Sequence, residues 1–320
     1  MRSVRPFLLL ALGLCACRDP APPAPPRAEP VAPPSAPASA APSAVPPAAP
    51  PPAPEALPGP PSAERYPWLA DPNLEPKAVE TLRTRFPPPP GFRRVVPVPK
   101  SFGEWLGDLP LAEAGTPVRA FDGRVLHPAT DKRIAAVVAL DVSRADLQQC
   151  ADTVIRLHAE WRWSQGARDM SYRAAAGMEL PWSRWASGER IVPKGASIQW
   201  VPGSKAVDDH ASFRKYLDAV FAWANTVSLE KQARQVLPVD LRAGDFFILP
   251  GNPGHVVLVL DVARGKERVA LLGQSFMPAQ NMQVLRAPDG GPWFHVDPSK
   301  DVDTPFWKPF PWGSLRRLPE

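Results

Sequence analysis

Short apolar runs separated by polar turns fill the C-terminal third of this sequence. Gly, Pro, Asn or charged residues stand between the runs, which lie at 245–249, 255–262, 268–274 and 282–285. Runs of this length with such boundaries are typical of β-strands. Because they follow one another at short intervals, we expect the strands to form an antiparallel meander.

The clearest helical pattern surrounds Cys150. Apolar residues recur there at helical spacing and form one stripe, which comprises Leu147, Val154, Leu157 and Trp161. The sequence leaves the start of this helix open between two candidates. Ser143 is one possible N-cap, and Asp146 with Gln149 three residues later forms a capping-box pattern and is the other.

Further segments complete the predicted order of elements. We expect a short helix at 75–86, an edge strand at 94–98, a hairpin at 118–126, a buried strand at 134–142, and a helical region at 209–236 with a break near Asn225. The tail, which is rich in Pro and Trp, is expected to run over the surface. This order predicts an α+β fold in which an antiparallel β-meander packs against a central helix that carries Cys150.

The amino terminus has the composition of an export signal. Arg2 and Arg5 precede a short apolar segment that runs into Leu-Cys-Ala-Cys and resembles a bacterial lipobox. We therefore expect residues 1–16 to be a lipoprotein signal peptide and Cys17 to carry the lipid, and a plain secretory signal is the alternative. Because several acyl chains hold a membrane stably, the expected location is the bacterial cell envelope, on the periplasmic or outer-surface face of the membrane.

Residues 17–63 differ in composition from the rest of the chain. Between residues 20 and 63 there are 19 Pro and 14 Ala, and such a stretch buries too little apolar surface to fold. We interpret residues 17–63 as a disordered linker that holds one globular domain, residues 64–320, away from the membrane. The formal net charge of +5 is small and its residues are scattered, so the sequence does not favour nucleic acid as a partner.

Cys150 is the one thiol that we expect to stay free, because the other two cysteines lie in the signal region. A thiol attacks a carbonyl group as the thiolate, which a helix N-terminus or an imidazole favours. His255 opens the strand at 255–262 after a turn with two glycines. We therefore interpret Cys150 as a candidate nucleophile and His255 as its base. The alternative is that Cys150 is a core residue and His255 caps a turn.

Gln274 ends the strand that follows the strand of His255. In a hairpin the last residue of one strand lies near the first residue of the other, so Gln274 is the candidate that orients the imidazole, with Ser275 as a substitute. Gln149, beside the thiol, is a candidate oxyanion donor or ligand contact, as is Gln148. The other histidines show no metal-ligand spacing, so the sequence predicts neither a metal site nor a cofactor.

Several segments together resemble a bacterial family, the domain of unknown function 4846. They are 147–157, Tyr216-Leu217 with Ser228-Leu229, 244–248, 253–255, 274–280 and Thr304-Pro305. They span most of residues 100–315, and the resemblance implies no established activity.

The order of thiol, Gly-Asp, Gly-His and polar residue is also similar to that of papain-like cysteine hydrolases, including the NlpC-P60 and CHAP types. This looser resemblance implies a papain-like fold and cleavage of amides. The chain departs from these enzymes at two places. Gln149 and Ala151 flank the thiol where Gly or Ser is usual, and Gln274 stands where they have His, Asn or Asp.

Two classes of function follow from these observations. The first is a membrane-anchored cysteine amidase or peptidase that acts on peptidoglycan or on envelope proteins. The alternative is a non-catalytic module that binds a cell-wall ligand in the same cleft or on a surface around Trp182 and Trp185, or that serves only as a structural tether. In each case we expect a monomer.

Overall fold

One antiparallel sheet forms the centre of the computed structural model, which describes residues 61–320. The described residues contain six α-helices: α1 (Leu82–Arg85), α2 (Phe102–Gly107), α3 (Cys150–Ser164), α4 (Trp182–Ser187), α5 (His210–Phe221) and α6 (Thr226–Gln232). Short 3-10 helices lie at Pro67–Ala70, Pro238–Asp240 and Trp312–Ser314.

The strands are numbered in chain order. They are β1 (Glu80–Thr81), β2 (Arg93–Arg94), β3 (Pro110–Leu111), β4 (Val118–Arg119), β5 (Val125–His127), β6 (Ile134–Val137), β7 (Ser171–Arg173), β8 (Glu179–Pro181), β9 (Glu189–Lys194), β10 (Ser197–Pro202), β11 (Arg234–Gln235), β12 (Phe246–Leu249), β13 (His255–Arg264), β14 (Arg268–Gln274), β15 (Gln283–Leu285), β16 (Trp293–His295) and β17 (Leu315–Arg317).

The main sheet has the strand order β11-β17-β12-β13-β14-β15-β6, with β2 beside β13 and β16 beside β14. Strands β12 to β15 are the four that the apolar runs predict, and consecutive strands pair antiparallel. The α+β class and the meander are therefore confirmed, whereas a papain-like fold remains a prediction. The predicted hairpin at 118–126 is present as β4 and β5.

Strand β13 separates two apolar clusters, because successive side chains of a strand point to opposite faces. Val256 and Leu258 belong to the cluster that includes helix α3, which packs against β13. Val257 and Val259 belong to the other cluster, together with Phe310 from the C-terminal segment. The helix that begins with Cys150 therefore lies on one face of the sheet, and the C-terminal segment covers the other face.

Helix α3 begins later than either predicted cap allows. Its N-cap is Gln149, which has an extended backbone and whose N–H donates to the Asp152 carboxylate at 3.1 Å. Asp146 has a different role, since its carboxylate accepts from the backbone N–H of Ala279 at 2.7 Å and from the side chain of Gln149. As a consequence, Cys150 is the first residue of the helix.

The sequence predicted a tail that runs over the surface, but part of the tail is a strand of the main sheet. Leu315–Arg317 forms β17, which lies between β11 and β12 in the main sheet. Arg317 donates to both carboxylate oxygens of Asp245, a residue that is completely buried. A buried carboxylate needs such a partner, so the ion pair explains why the tail belongs to the sheet.

The predicted helical region at 209–236 is two helices, α5 and α6, and Asn225 caps the second through Ser228. The described residues, 61–320, belong to one compact unit. No helix within residues 61–320 has the length and apolar character needed to cross a bilayer. The predicted signal peptide, Cys17 and nearly all of the predicted linker lie outside the described residues.

Candidate functional site

The Cys150 thiol lies at the start of α3 and is 6% exposed. Its sulfur is 3.9 Å from the carbonyl oxygen of Gly254, the residue before His255. Burial and the neighbouring Asp152 raise the pKa of the thiol to about 11, although backbone N–H groups of Ala151 and Val256 directed at the sulfur act to lower it. The thiol is therefore protonated at neutral pH.

The sulfur occupies a place that the sheet leaves open. The N–H of Val259 donates to the carbonyl of Asp245, and its C=O accepts from the N–H of Gly244, on the β12 side of β13. By alternation along the strand, the N–H of Val256 points to the β14 side. Pairing between β13 and β14 begins only at Leu258 and Gly273, so the first residues of β13 extend beyond β14. Cys150 fills this gap, beside the backbone on both sides of His255.

His255 is the first residue of β13 and is 1% exposed. Its Nε2 lies 2.7 Å from Oε1 of Gln274, the last residue of β14. Because an amide oxygen only accepts hydrogen bonds, Nε2 carries the proton and Nδ1 has the free lone pair. Burial lowers the pKa of His255 to about 4, so the ring is neutral at pH 7. Within residues 61–320, Nδ1 has no hydrogen-bond partner.

The structure thus brings His255 and Gln274 into direct contact, but it brings Cys150 only to the backbone next to His255. The thiol donates to Gly254, and no hydrogen bond joins it to the His255 ring in the described part of the chain. The three residues lie at one end of the sheet, where β13 begins, β14 ends and α3 begins. The thiol belongs to the apolar cluster on the α3 face of the sheet, whereas the imidazole packs against Phe310 on the other face, so the two neutral groups lie on opposite sides of β13.

Aromatic rings surround the imidazole. The centroids of Phe276, Trp307 and Phe310 lie 4.8, 4.9 and 6.1 Å from that of His255. The indole N–H of Trp307 and the amide nitrogen of Gln274 are buried and have no hydrogen-bond partner among residues 61–320. Buried donors without partners are rare, and they are concentrated at sites that bind water, ions or ligands.

Sequence reasoning missed Trp307 and Phe310. Both belong to a Pro-rich stretch without helical or strand periodicity, and their contact with His255 joins segments about 50 residues apart. The pair Thr304-Pro305 resembled the 4846 family and was the only signal near them.

The other proposed polar residues bond elsewhere. The Ser275 hydroxyl donates to the carbonyl of Gln280 at 2.8 Å, and it does not contact the His255 ring. The Gln149 amide donates to Asp146 at 3.0 Å. The Gln148 side chain is buried and accepts from Arg156 at 2.9 Å. In this structure the donors nearest the sulfur are the backbone N–H groups of Ala151 and Val256.

A buried ion network supports the first turns of α3. Arg156 is fully buried and bonds to Asp141 at 2.8 Å and to Glu160 at 2.7 Å. Burial alone would raise the pKa of Asp141, but Arg156 and Arg214 hold it below its usual range. Because Arg156 also donates to Gln148, the network connects the helix to the segment that precedes Cys150.

The Trp182 surface, an alternative that the sequence left open, finds less support in the packing. Trp182 is buried against Trp163, Phe213 and Tyr216, so it is a core residue and does not offer a surface to a ligand. Among residues 61–320 no group of three or more His, Cys, Asp or Glu side chains is arranged to hold a metal ion.

Comparisons with known proteins agree with part of the sequence reading. Neither a search of curated proteins nor a search of solved structures finds a match to this chain. The model of one family, described as a domain of unknown function (4846), matches residues 82–317. This range contains Cys150, His255, Gln274 and Trp307 and covers well over half of the sequence. The chain therefore belongs to the domain of unknown function 4846 family.

Proposed function

We propose that this protein is a thiol-dependent amide hydrolase, with Cys150 as nucleophile, His255 as base and Gln274 as the residue that orients the base. The observation that carries the proposal is the position of the sulfur. It lies at the first residue of α3 and 3.9 Å from the carbonyl that precedes His255, whose ring bonds to Gln274. A helix start and a neutral imidazole are the two features that generate a thiolate in proteins.

The reaction would use each of these groups. Nδ1 of His255 takes the thiol proton while the sulfur bonds to the carbonyl carbon of an amide, and N–H groups at the start of α3 stabilise the negative oxygen. The amine leaves with the proton from the imidazolium, and a thioester remains on Cys150. Water then attacks the thioester, the ring passes a proton of that water back to the sulfur, and a carboxylic acid is released.

The resting charges place a requirement on this mechanism. With thiol and imidazole pKa values of about 11 and about 4, both groups are neutral at pH 7. A neutral pair is the state from which general-base catalysis begins. Since the thiol donates to Gly254 on the α3 face and the His255 ring packs against Phe310 on the other face, the first residues of β13 must rearrange for the ring and the sulfur to meet when substrate enters.

We propose further that Cys17 is lipidated and that residues 17–63 extend the domain from the membrane of the bacterial cell envelope, on the periplasmic or outer-surface side. Support comes from the lipobox-like Leu-Cys-Ala-Cys and from the Pro/Ala-rich composition. The substrates that suit this location are amides of peptidoglycan peptides or of envelope proteins, and the protein would act as a monomer. Replacing Cys17 with Ala should release the protein from membrane fractions.

A turnover assay with matched variants tests the hydrolase. Peptidoglycan and peptide amides are incubated with the purified protein, and mass spectrometry follows new carboxylic acids. Cys150→Ala should abolish turnover, and His255→Gln should reduce it by about a hundredfold or more. His158→Gln is the control, because His158 is also buried and its pKa is also lowered to about 4, but its ring bonds to Tyr172 and Pro319. Turnover by Cys150→Ala at the wild-type rate would refute the proposal.

A second candidate is a binding module that holds its ligand beside His255 without cleaving it. The observation in its favour is the pair of buried, unbonded donors on Gln274 and Trp307. Calorimetry with soluble peptidoglycan fragments separates the two functions. Binding that disappears in Trp307→Phe but persists in Cys150→Ala, without turnover in any variant, would support the binding module.

A further inference from the structure

The segment Val302–Phe310, which we call the strap, is held at its two ends by one pair of residues. The N–H of Val302 donates to the carbonyl of Phe310 at 2.8 Å, and the N–H of Phe310 donates back at 2.9 Å. This isolated bridge is the only strand pairing within the strap. Residues 303–309 therefore form a closed loop that could swing about its base without breaking the main sheet.

The strap covers the imidazole of His255. Trp307 lies with its ring centroid 4.9 Å from that of His255 and packs edge-on against Phe276 at 5.9 Å. Phe310, at the base of the strap, lies 6.1 Å from the same imidazole. Because His255 is only 1% exposed, no substrate can reach its ring while the strap stays in this position.

Two residues from another part of the fold contact Phe306 at the tip of the strap. The guanidinium of Arg133 lies 4.1 Å from the ring centroid of Phe306, a distance suited to a cation–π interaction. The His127 ring packs against the same side chain, with its centroid 4.9 Å from that of Phe306. Arg133 is otherwise a surface residue, with 53% of its side chain exposed and an ion pair to Asp131.

The closed position leaves local interactions incomplete. The Trp307 indole N–H and the Thr304 hydroxyl are buried, and neither has a hydrogen-bond partner in the described part of the chain. Phe306 has a φ of 75°, in the left-handed region that L side chains adopt rarely. Segments with such features open at lower free energy than the sheet on which they rest.

From these observations we infer that the strap is a movable cover of the His255 site. Arg133 is its latch, by which we mean that its contact with Phe306 stabilises the closed position. Opening would expose the imidazole and free the N–H groups of Trp307 and Gln274 for acceptor oxygens of a ligand. The inference concerns the site of the proposed function, but access to His255 can be measured whether or not Cys150 is a nucleophile.

The test compares Arg133→Ala with Arg124→Ala in the full-length protein. Arg124 is a matched control, because its side chain is 65% exposed and pairs with Asp122 two residues away, without an aromatic contact. Diethyl pyrocarbonate modifies accessible, neutral imidazoles, and peptide mass spectrometry follows each histidine. His295, with 54% of its side chain exposed, reports the rate for an open ring. His158 is a buried residue of helix α3, on the other face of the sheet. Its modification reports unfolding of the whole domain.

We expect His255 to react far more slowly than His295 in the wild-type protein. Loss of the latch should speed the modification of His255 by about threefold to tenfold in Arg133→Ala, as expected for one cation–π contact, and leave it unchanged in Arg124→Ala. Equal His255 rates in the two variants would overturn the inference. A parallel rise at His158 would also overturn it, because Arg133 would then support the whole fold. Neither result depends on the turnover of Cys150→Ala, so the hydrolase proposal stands or fails separately.

Discussion

At the scale of single residues, desolvation sets the charge of the site. Burial raises the pKa of Cys150 and lowers that of His255, so both groups lose their charged forms at neutral pH. The hydrogen bond to Gln274 opposes the effect on His255 only in part. While both groups stay buried, the thiol and the imidazole are therefore uncharged and unreactive, and their reactivity depends on whether solvent or a ligand reaches them.

The same shift predicts how stability varies with pH. The pKa of His255 is about 4 in the folded protein, against about 6.5 in an unfolded chain, so the unfolded state binds the proton first as the pH falls. The stabilisation is fully present above about pH 6.5 and is lost as the pH falls to about 4, at most about 3 kcal/mol for this residue. Urea unfolding between pH 7.5 and 4.5 should show this loss as a fall in the free energy of unfolding. In His255→Gln the slope of that free energy against pH should be smaller. An unchanged slope in this variant would mean that the ring is not buried in its neutral form.

At the scale of elements, the start of α3 controls the thiol. The carboxylate of Asp152 accepts a hydrogen bond from the backbone N–H of Gln149 at 3.1 Å. This bond caps the helix, so the extended segment ends just before Cys150. The same carboxylate raises the pKa of Cys150, although burial contributes more. The residue that positions Cys150 thus also suppresses the ionisation of its thiol.

Asp152→Asn separates these two effects, because an amide oxygen can still accept from Gln149 but carries no charge. We expect the variant to fold normally and the pKa of Cys150 to fall. Alkylation by iodoacetamide is followed at the Cys150 peptide from pH 7 to 11. At pH 7 the wild-type Cys150 should react roughly a hundredfold more slowly than a free thiol, and Cys150 in the variant should react faster than in the wild type. Identical pH profiles would show that Asp152 does not act on the sulfur.

The sequence predicted the elements whose signal is local. The runs that became β12 to β15 alternate or stay apolar over four to eight residues, and the break before α6 follows from Asn225 as an N-cap. The start of α3 escaped prediction because Gln149 is a rare cap and Asp146 is used by Ala279, far along the chain. Contact between Gln274 and His255 followed from hairpin geometry, whereas Trp307 reaches the same ring through a fold that no local pattern reveals.

At the scale of the whole molecule, the sheet depends on a strand that comes from the end of the domain. Strand β17 pairs with β11 on one side and with β12 on the other. Arg317 fixes this arrangement through the fully buried Asp245, 72 residues earlier. Burial raises the pKa of Asp245 above its usual value even though Arg317 lies beside it, which indicates how costly the carboxylate would be alone.

Removing this arginine should destabilise the whole domain. Arg317→Met leaves Asp245 buried without its ion partner, and we expect a loss of about 3 kcal/mol in the free energy of unfolding. Arg316→Met is the neighbouring control, because Arg316 pairs with Glu230 nearer the surface and should cost less than about 1 kcal/mol. Denaturant unfolding of the two variants decides the matter, and equal losses would contradict the role given to the Arg317 ion pair.

The position of β17 also has a consequence for biogenesis. During translation, β12 emerges with one of its edges open, and the strand that closes this edge follows only when residue 317 has been made. Until then the nascent domain exposes unpaired main-chain groups, to which other extended chains can add. An export pathway that keeps the chain unfolded until translation is complete would avoid that hazard.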